Sequence, residues 1–224
     1  MPLTVLRERA PSLRGLLLPA LIAGLAAGAV AWCLQQLFLV PLILRAEALE
    51  SAAQAHAAAG AGVERAAYSL LFTCVGACGF ALLLAGSCAL RGEVSWRRGL
   101  LWGLAGFLSF SLAPALGLAP ELPGAHAADL VARQLWWITA ALATAAGLAC
   151  IVFPRSMALK LLGIALIALP HLIGAPRGVH SDDVVPPDLA RAFVAGSLAV
   201  SAMMWLILGG LTPALMRRYL RQTV

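Results

Sequence analysis

The side chains of this sequence that are able to hold a divalent metal ion are gathered rather than scattered. All four histidines (His56, His126, His171, His180) and eight of the ten carboxylates fall in or beside three stretches, at about 40–65, 119–133 and 171–191. The second stretch carries the sharpest constellation. There a helix beginning near Gly124 would set His126, Asp129 and Arg133 at i, i+3 and i+7, on one face. Glu121 precedes them by a turn fixed between Pro120 and Pro123. Imidazole nitrogen beside carboxylate oxygen suits a borderline ion such as cobalt, nickel, iron or zinc, whereas oxygen alone favours magnesium or calcium. The competing reading makes Asp129 and Arg133 an i,i+4 ion pair at a helix start, worth about 0.2–0.5 kcal/mol, with His126 merely solvated. His171 follows Pro170 at the end of an apolar stretch. An ionisable residue at that depth is by default a functional candidate: it would pass a cation inward, or else donate to the carbonyl that Pro170 frees. Glu47 and Glu50, on neighbouring turns of a helix prolonging the first apolar stretch, would be a first electrostatic attractor.

These side chains must be positioned by membrane helices. The 224 residues are 62% hydrophobic and 12% charged, against roughly 45–50% and 25% in soluble domains. Six stretches, 16–39, 66–90, 99–118, 134–153, 157–174 and 192–215, have about the 17–25 residues a hydrocarbon core requires. Without β alternation they must be helical, because lipid offers the backbone no hydrogen bonds. The expected fold is therefore an all-α polytopic membrane bundle forming one domain. The fifth stretch is the weakest, being short and carrying Lys160, Pro170 and His171, so five spans are the alternative. Basic residues ahead of the first stretch also suit a signal peptide, but a signal core is about 7–15 residues; an uncleaved anchor is expected.

Eleven of the sixteen Lys and Arg residues lie before span one, between spans two and three, between four and five, and after six. The positive-inside rule then puts both termini in the cytoplasm and the acidic, histidine-bearing stretches outside. It also accounts for the net charge of +6 without a nucleic-acid partner, which would require a soluble basic surface.

The five cysteines fall inside spans, as small packing residues; Cys74 and Cys78 share a helical face, so a soft metal is the alternative there. Gly24 with Gly28, Gly99 with Gly103, and the set Gly76, Gly79 and Ser87 have the spacing that lets helices approach closely. Packing within the chain is expected, with a homo-oligomer as the other use. Pro114 and Pro170 free the carbonyls of Phe110 and Leu166. The third polar stretch, around Pro186-Pro187, reads as extended. GxxxxGK[ST], HExxH, GxSxG and CxxC are all missing. The chain is accordingly read as neither an ATPase of that type nor an enzyme, with no permanently bound cofactor. A transporter built on it would draw on a gradient, a partner or the membrane potential, which supplies about 2.3 kcal/mol per charge per 100 mV.

The segment Leu112-Ala-Pro-Ala-Leu-Gly-Leu-Ala-Pro-Glu-Leu-Pro-Gly, followed by Arg133-Gln-Leu-Trp-Trp137, resembles the centre of the CbtA family of predicted cobalt transporter subunits. Pro41-Leu-Ile with Ala46-Glu-Ala-Leu-Glu50, and Pro170-His-Leu-Ile-Gly-Ala-Pro176, continue the likeness in the family's order. The resemblance implies a multi-pass protein of the bacterial cytoplasmic membrane that takes up cobalt for cobalamin synthesis. It also implies a small one-span partner, CbtB, with a histidine-rich tail. Family descriptions give about five spans against the six counted here. Glu47, Glu50, Glu121, Arg133, Gln134 and His171 match family positions, whereas His126 and Asp129 enter from spacing alone. Cobalt is the expected cargo, with nickel the nearest alternative since both accept the same ligands. A non-transporting scaffold or accessory subunit of a metal-uptake complex is the second reading of function.

Overall fold

The computed structural model describes residues 13–54, 62–92, 95–123, 128–176 and 185–222. Among them there are helices and no strand. The first helix, α1, runs through Leu13–Leu34, a π-helical turn at Gln35–Leu39, and Val40–Gln54. It is followed by α2 (Gly62–Leu90) and then by α3, which comprises Trp96–Phe107, a second π turn at Leu108–Leu112, and Ala113–Gly117. Three more complete the bundle: α4 (Leu130–Val152), α5 (Met157–Ile173) and α6 (Pro187–Gln222).

Five of these helices are long and apolar enough to cross a membrane. The 17 residues of α5 reach about 25 Å at 1.5 Å per residue, against a hydrocarbon core of about 30 Å. The expected prolongation of the first span is present. Its apolar stretch alone would satisfy the membrane, yet the helix continues to Gln54 and carries Glu47 and Glu50 beyond it.

The side chains are distributed inside out relative to a water-soluble protein. Leu90, Leu172, Ile173 and Phe72 are 89%, 81%, 74% and 71% exposed, while Ala20, Ala23, Ala27 and Ala81 are fully buried. In lipid, no hydrophobic effect drives helices together, so small residues make the contacts and large ones face the acyl chains. A Cβ on Gly24 would lie 2.5 Å from the Cα of Cys78, and one on Gly28 would lie 2.7 Å from the Cα of Cys74. The two cysteines are thus the small residues opposing the two glycines in an antiparallel α1–α2 pair, which explains their spacing through packing. Gly99 and Gly103 meet Gly209 and Trp205 on α6, and Gly147 meets Gly163 between α4 and α5. The third small-residue set behaves differently, since Gly76 and Gly79 face open space.

Both π turns have the same local cause. The amide of Val40 bonds the carbonyl of Gln35, and the amide of Ala113 bonds that of Leu108, one residue further back than in an α-helix. Each ends two residues before a proline, Pro41 or Pro114. Proline lacks an N–H and its ring collides with the carbonyl four residues earlier; widening the turn removes that carbonyl without breaking the helix.

The helix pairs place Arg14, Arg91, Arg97, Arg98, Arg155, Lys160, Arg217 and Arg218 toward one end of the bundle, hereafter the basic end. Six described carboxylates, Glu47, Glu50, Glu64, Glu121, Asp129 and Asp188, lie toward the other, with four arginines. At that acidic end Ala46 of α1, Leu122 and Val185 bury one another, with Ile43, Leu189 and Phe193 packed against them. This apolar knot ties together the three polar stretches, whose members Ala46, Leu122 and Val185 are far apart in the sequence.

Candidate functional site

At the acidic end, the carboxylates singled out from the sequence differ in their surroundings. Glu47 Oε1 accepts from Arg65 at 2.7 Å, joining the prolonged end of α1 to the first turn of α2. Glu50 is half-buried one turn on. Glu121 Oε2 pairs with Arg133 at 3.1 Å, and each of those side chains is one-third exposed. Pairs so open to water are worth about 0–1 kcal/mol.

Asp129 corrects the expected geometry of the second stretch. The helix begins at Leu130, not near Gly124, and Asp129 is its N-cap: φ is −49° and ψ 135°, with the side chain accepting from the Ala132 amide at 3.0 Å. The i, i+3, i+7 face proposed for His126, Asp129 and Arg133 therefore does not form, because Ala128 and Asp129 are outside the helix. A cap of this kind satisfies one of the four open amides of a helix start, which the spacing argument had left uncounted. His126 lies outside the described residues, as do His56, His180, Asp182 and Asp183. Asp129→Ala is expected to cost about 1 kcal/mol, read as a lowered melting temperature in detergent. If uptake fell while melting held, Asp129 would be a ligand instead of a cap.

His171 occupies the last turn of α5, beside the buried Pro170. Its ring meets Trp136 edge-on, with centroids 5.8 Å apart and planes at 71°. The His171 Nε2 and the Trp136 Nε1 are both buried without a hydrogen-bond partner. Two orphaned nitrogens on touching rings are unusual, since buried polar atoms are nearly always paired. Trp136 also packs against Gly117, where any side chain would overlap the indole.

Below the Glu121–Arg133 pair a cleft of about 620 Å³ opens between α3, α4 and α6. Arg133 and Gln134 stand at its rim, Trp137 forms one wall, and Ser111, Ser197 and Ser201 line its depth. Ser111 and Ser201 share a hydrogen bond at 2.6 Å, and the Trp205 Nε1 donates to Ser111 at 3.2 Å. His171 does not line this cleft. The structure thus brings Glu121, Arg133 and Gln134 to one opening and sets His171 against Trp136 on another side of α4. Among the described residues no three His, Cys, Asp or Glu side chains come together as a metal-holding group.

The sequence reading missed the serines of the cleft. Their only signal was Ser109-Phe-Ser111 ahead of Pro114 in an apolar span, facing Ser197 and Ser201 a long way down the chain. The family whose model is described as "Probable cobalt transporter subunit (CbtA)" matches residues 13–217, nearly all of the helical bundle. The chain belongs to the CbtA family. No curated protein and no solved structure matches it. CbtA is described as a probable transporter subunit, and the five long apolar helices of this chain suit a membrane protein. The cleft under Glu121 is thus the natural candidate for where this CbtA chain meets its cargo.

Proposed function

We propose that the chain is the membrane-embedded subunit of a cobalt uptake system linked to cobalamin synthesis. In this reading it moves a divalent transition-metal cation across the bacterial cytoplasmic membrane and is no enzyme. The observation that carries it is the cleft at the acidic end, lined by Arg133 and Gln134 with Glu121 paired to Arg133, in a chain whose family is described as a probable transporter subunit. By the positive-inside rule the acidic end faces outward and the basic end the cytoplasm. A divalent cation drawn inward then gains about 4.6 kcal/mol per 100 mV. Glu47, Glu50 and Glu121 collect the ion, with Glu121 exchanging Arg133 for it. His171 offers an Nε2 without a competing hydrogen-bond partner, and His126 and Asp129 stand as further outer donors. Cobalt in preference to nickel rests on the family description, because both take the same ligands. A one-span, histidine-rich CbtB-like subunit is the proposed partner.

One observation favours the second reading, a non-transporting scaffold: the described donors do not converge on one point. Radiolabelled cobalt uptake separates the two. Cells carrying Glu121→Gln or His171→Ala are expected to take up cobalt about tenfold more slowly at limiting metal, the lower end of what a lost supporting group costs a metal site. Unchanged uptake at normal expression removes the site assignment. A chain that moves no cobalt when reconstituted, alone or with its partner, is a scaffold.

A further inference from the structure

We propose that the cargo's route runs along the seam between α3 and α4 and is closed at mid-membrane by Phe110, a barrier carried on the second π turn. This rests on the transport reading and names the path.

The seam is open in two halves. The cleft of about 620 Å³ occupies its acidic-end half. A second cavity, of about 650 Å³, occupies its basic-end half between α2, α3 and α4, reaching from Arg91, Arg98 and Phe153 to Ser109. Phe110 lines both. Its ring is stacked on Trp205, centroids 5.8 Å apart and planes at 13°, lies 5.4 Å from Phe80, and meets Trp137 of the outer cleft at 6.2 Å. Phe80 and Trp205 are themselves 4.8 Å apart. Phe110, which lines both halves, is thus packed among aromatic rings, and apolar constrictions close pores by excluding water.

The backbone beneath Phe110 is built to move. The residue lies in the middle of the Leu108–Leu112 π turn, which holds one residue more than an α turn. Relaxing it would swing Phe110 by about 100°, the angular step of one helical residue. Two hydrogen bonds with α6 hold the present register, one between Ser111 and Ser201 and one donated by Trp205 to Ser111. The same hydroxyls are the polar groups nearest the barrier on the acidic side. Arg91 and Arg98 make the basic-end cavity a poor resting place for a cation, so the ion waits above Phe110, beside Ser111 and Ser201, until the turn shifts.

The test reads aqueous access and not metal flux. Ser197→Cys probes the outer cleft and Ser87→Cys the inner cavity, each in a chain whose native cysteines are replaced by Ala. A charged, membrane-impermeant methanethiosulfonate is added to either face of sealed vesicles. With Phe110 intact, Ser197→Cys should react only from the acidic side and Ser87→Cys only from the basic side. Adding Phe110→Ala should make both reachable from both sides. Phe110→Leu, which keeps most of the bulk, should preserve the one-sided pattern and shows that the folded bundle survives change at this position. One-sided access that persists in a folded Phe110→Ala chain overturns the barrier. A Ser87→Cys unreactive from either side means that acyl chains fill the inner cavity, and overturns the route. If one-sided access and its loss are both seen in a chain that carries no cobalt, the route stands and the metal reading fails.

Discussion

Replacing Gly103 by Leu is expected to prevent α3 from docking on α6 and to abolish the folded bundle. A Cβ at Gly103 would lie 2.5 Å from the Trp205 carbonyl and 3.0 Å from the Gly209 Cα, so the obstruction is backbone on backbone. No rotamer change relieves such a contact. Overpacking costs about 1–3 kcal/mol even where side chains can give way, and here α3 and α6 would have to separate along the Gly99–Gly209 contact as well. Separation would also break the Ser111–Ser201 bond and expose Trp205. The expected result in detergent is loss of the monodisperse size-exclusion peak. Gly76→Leu is the matched control: it adds the same side chain at a glycine facing open space, and a change within about 0.5 kcal/mol is expected there, as at other open surface positions. Equal behaviour of the two variants would show that α3 does not pack on α6 through Gly103.

Trp205→Ala is expected to have the next largest effect, lowering stability by about 2 kcal/mol or more. In water-soluble cores the loss of a buried Trp costs about 3–5 kcal/mol. Part of that is transfer from water, which falls away in lipid, leaving packing and cavity. Trp205 is 2% exposed, lies over Gly106, contacts Phe80 and Phe110, and donates to Ser111. Its removal empties the middle of the bundle. Trp205→Phe keeps most of the ring and gives up the hydrogen bond, about 0.5–1.5 kcal/mol, and leaves Ser111 its bond to Ser201. Thermal unfolding followed by tryptophan fluorescence should rank the wild type above Phe and Phe above Ala. A Trp205→Phe chain as unstable as Trp205→Ala would mean that the indole N–H, and not the ring packing, dominates.

The residues differ in how legible they were. Glu47 and Glu50 were placed on a prolonged first helix by the Ala-rich run around them, since helix propensity and the lack of a breaker act locally. Asp129 was misplaced because a helix start depends on which residue satisfies the open amides. Both Gly124 and Asp129 offered a plausible start, and the capping bond to Ala132 decided it. Pro114 points to a disturbed turn, but Pro41 does not, since it lies beyond the apolar stretch 16–39. The proline alone accounts for each widened turn, but what the turn then meets, Thr73 at Gln35 and Ser201 at Ser111, is tertiary.

By itself the sequence determined the membrane class, the helices, their order and the sorting of basic from acidic ends. Each of these follows from hydropathy and charge summed over a stretch, and needs no knowledge of what a given side chain touches. The tertiary structure alone decided which small residues are contacts. Gly24 and Gly28 meet Cys78 and Cys74, while Gly76 and Gly79, with similar spacing, meet nothing. It alone gathered Ala46, Leu122 and Val185 into one knot, turned the Nε2 of His171 to a buried place beside Trp136, and put Phe110 between two cavities. In lipid the helices are not sorted by burial of apolar surface. Their faces are chosen by steric fit between particular residues far apart in the chain, and composition and spacing carry no record of that fit.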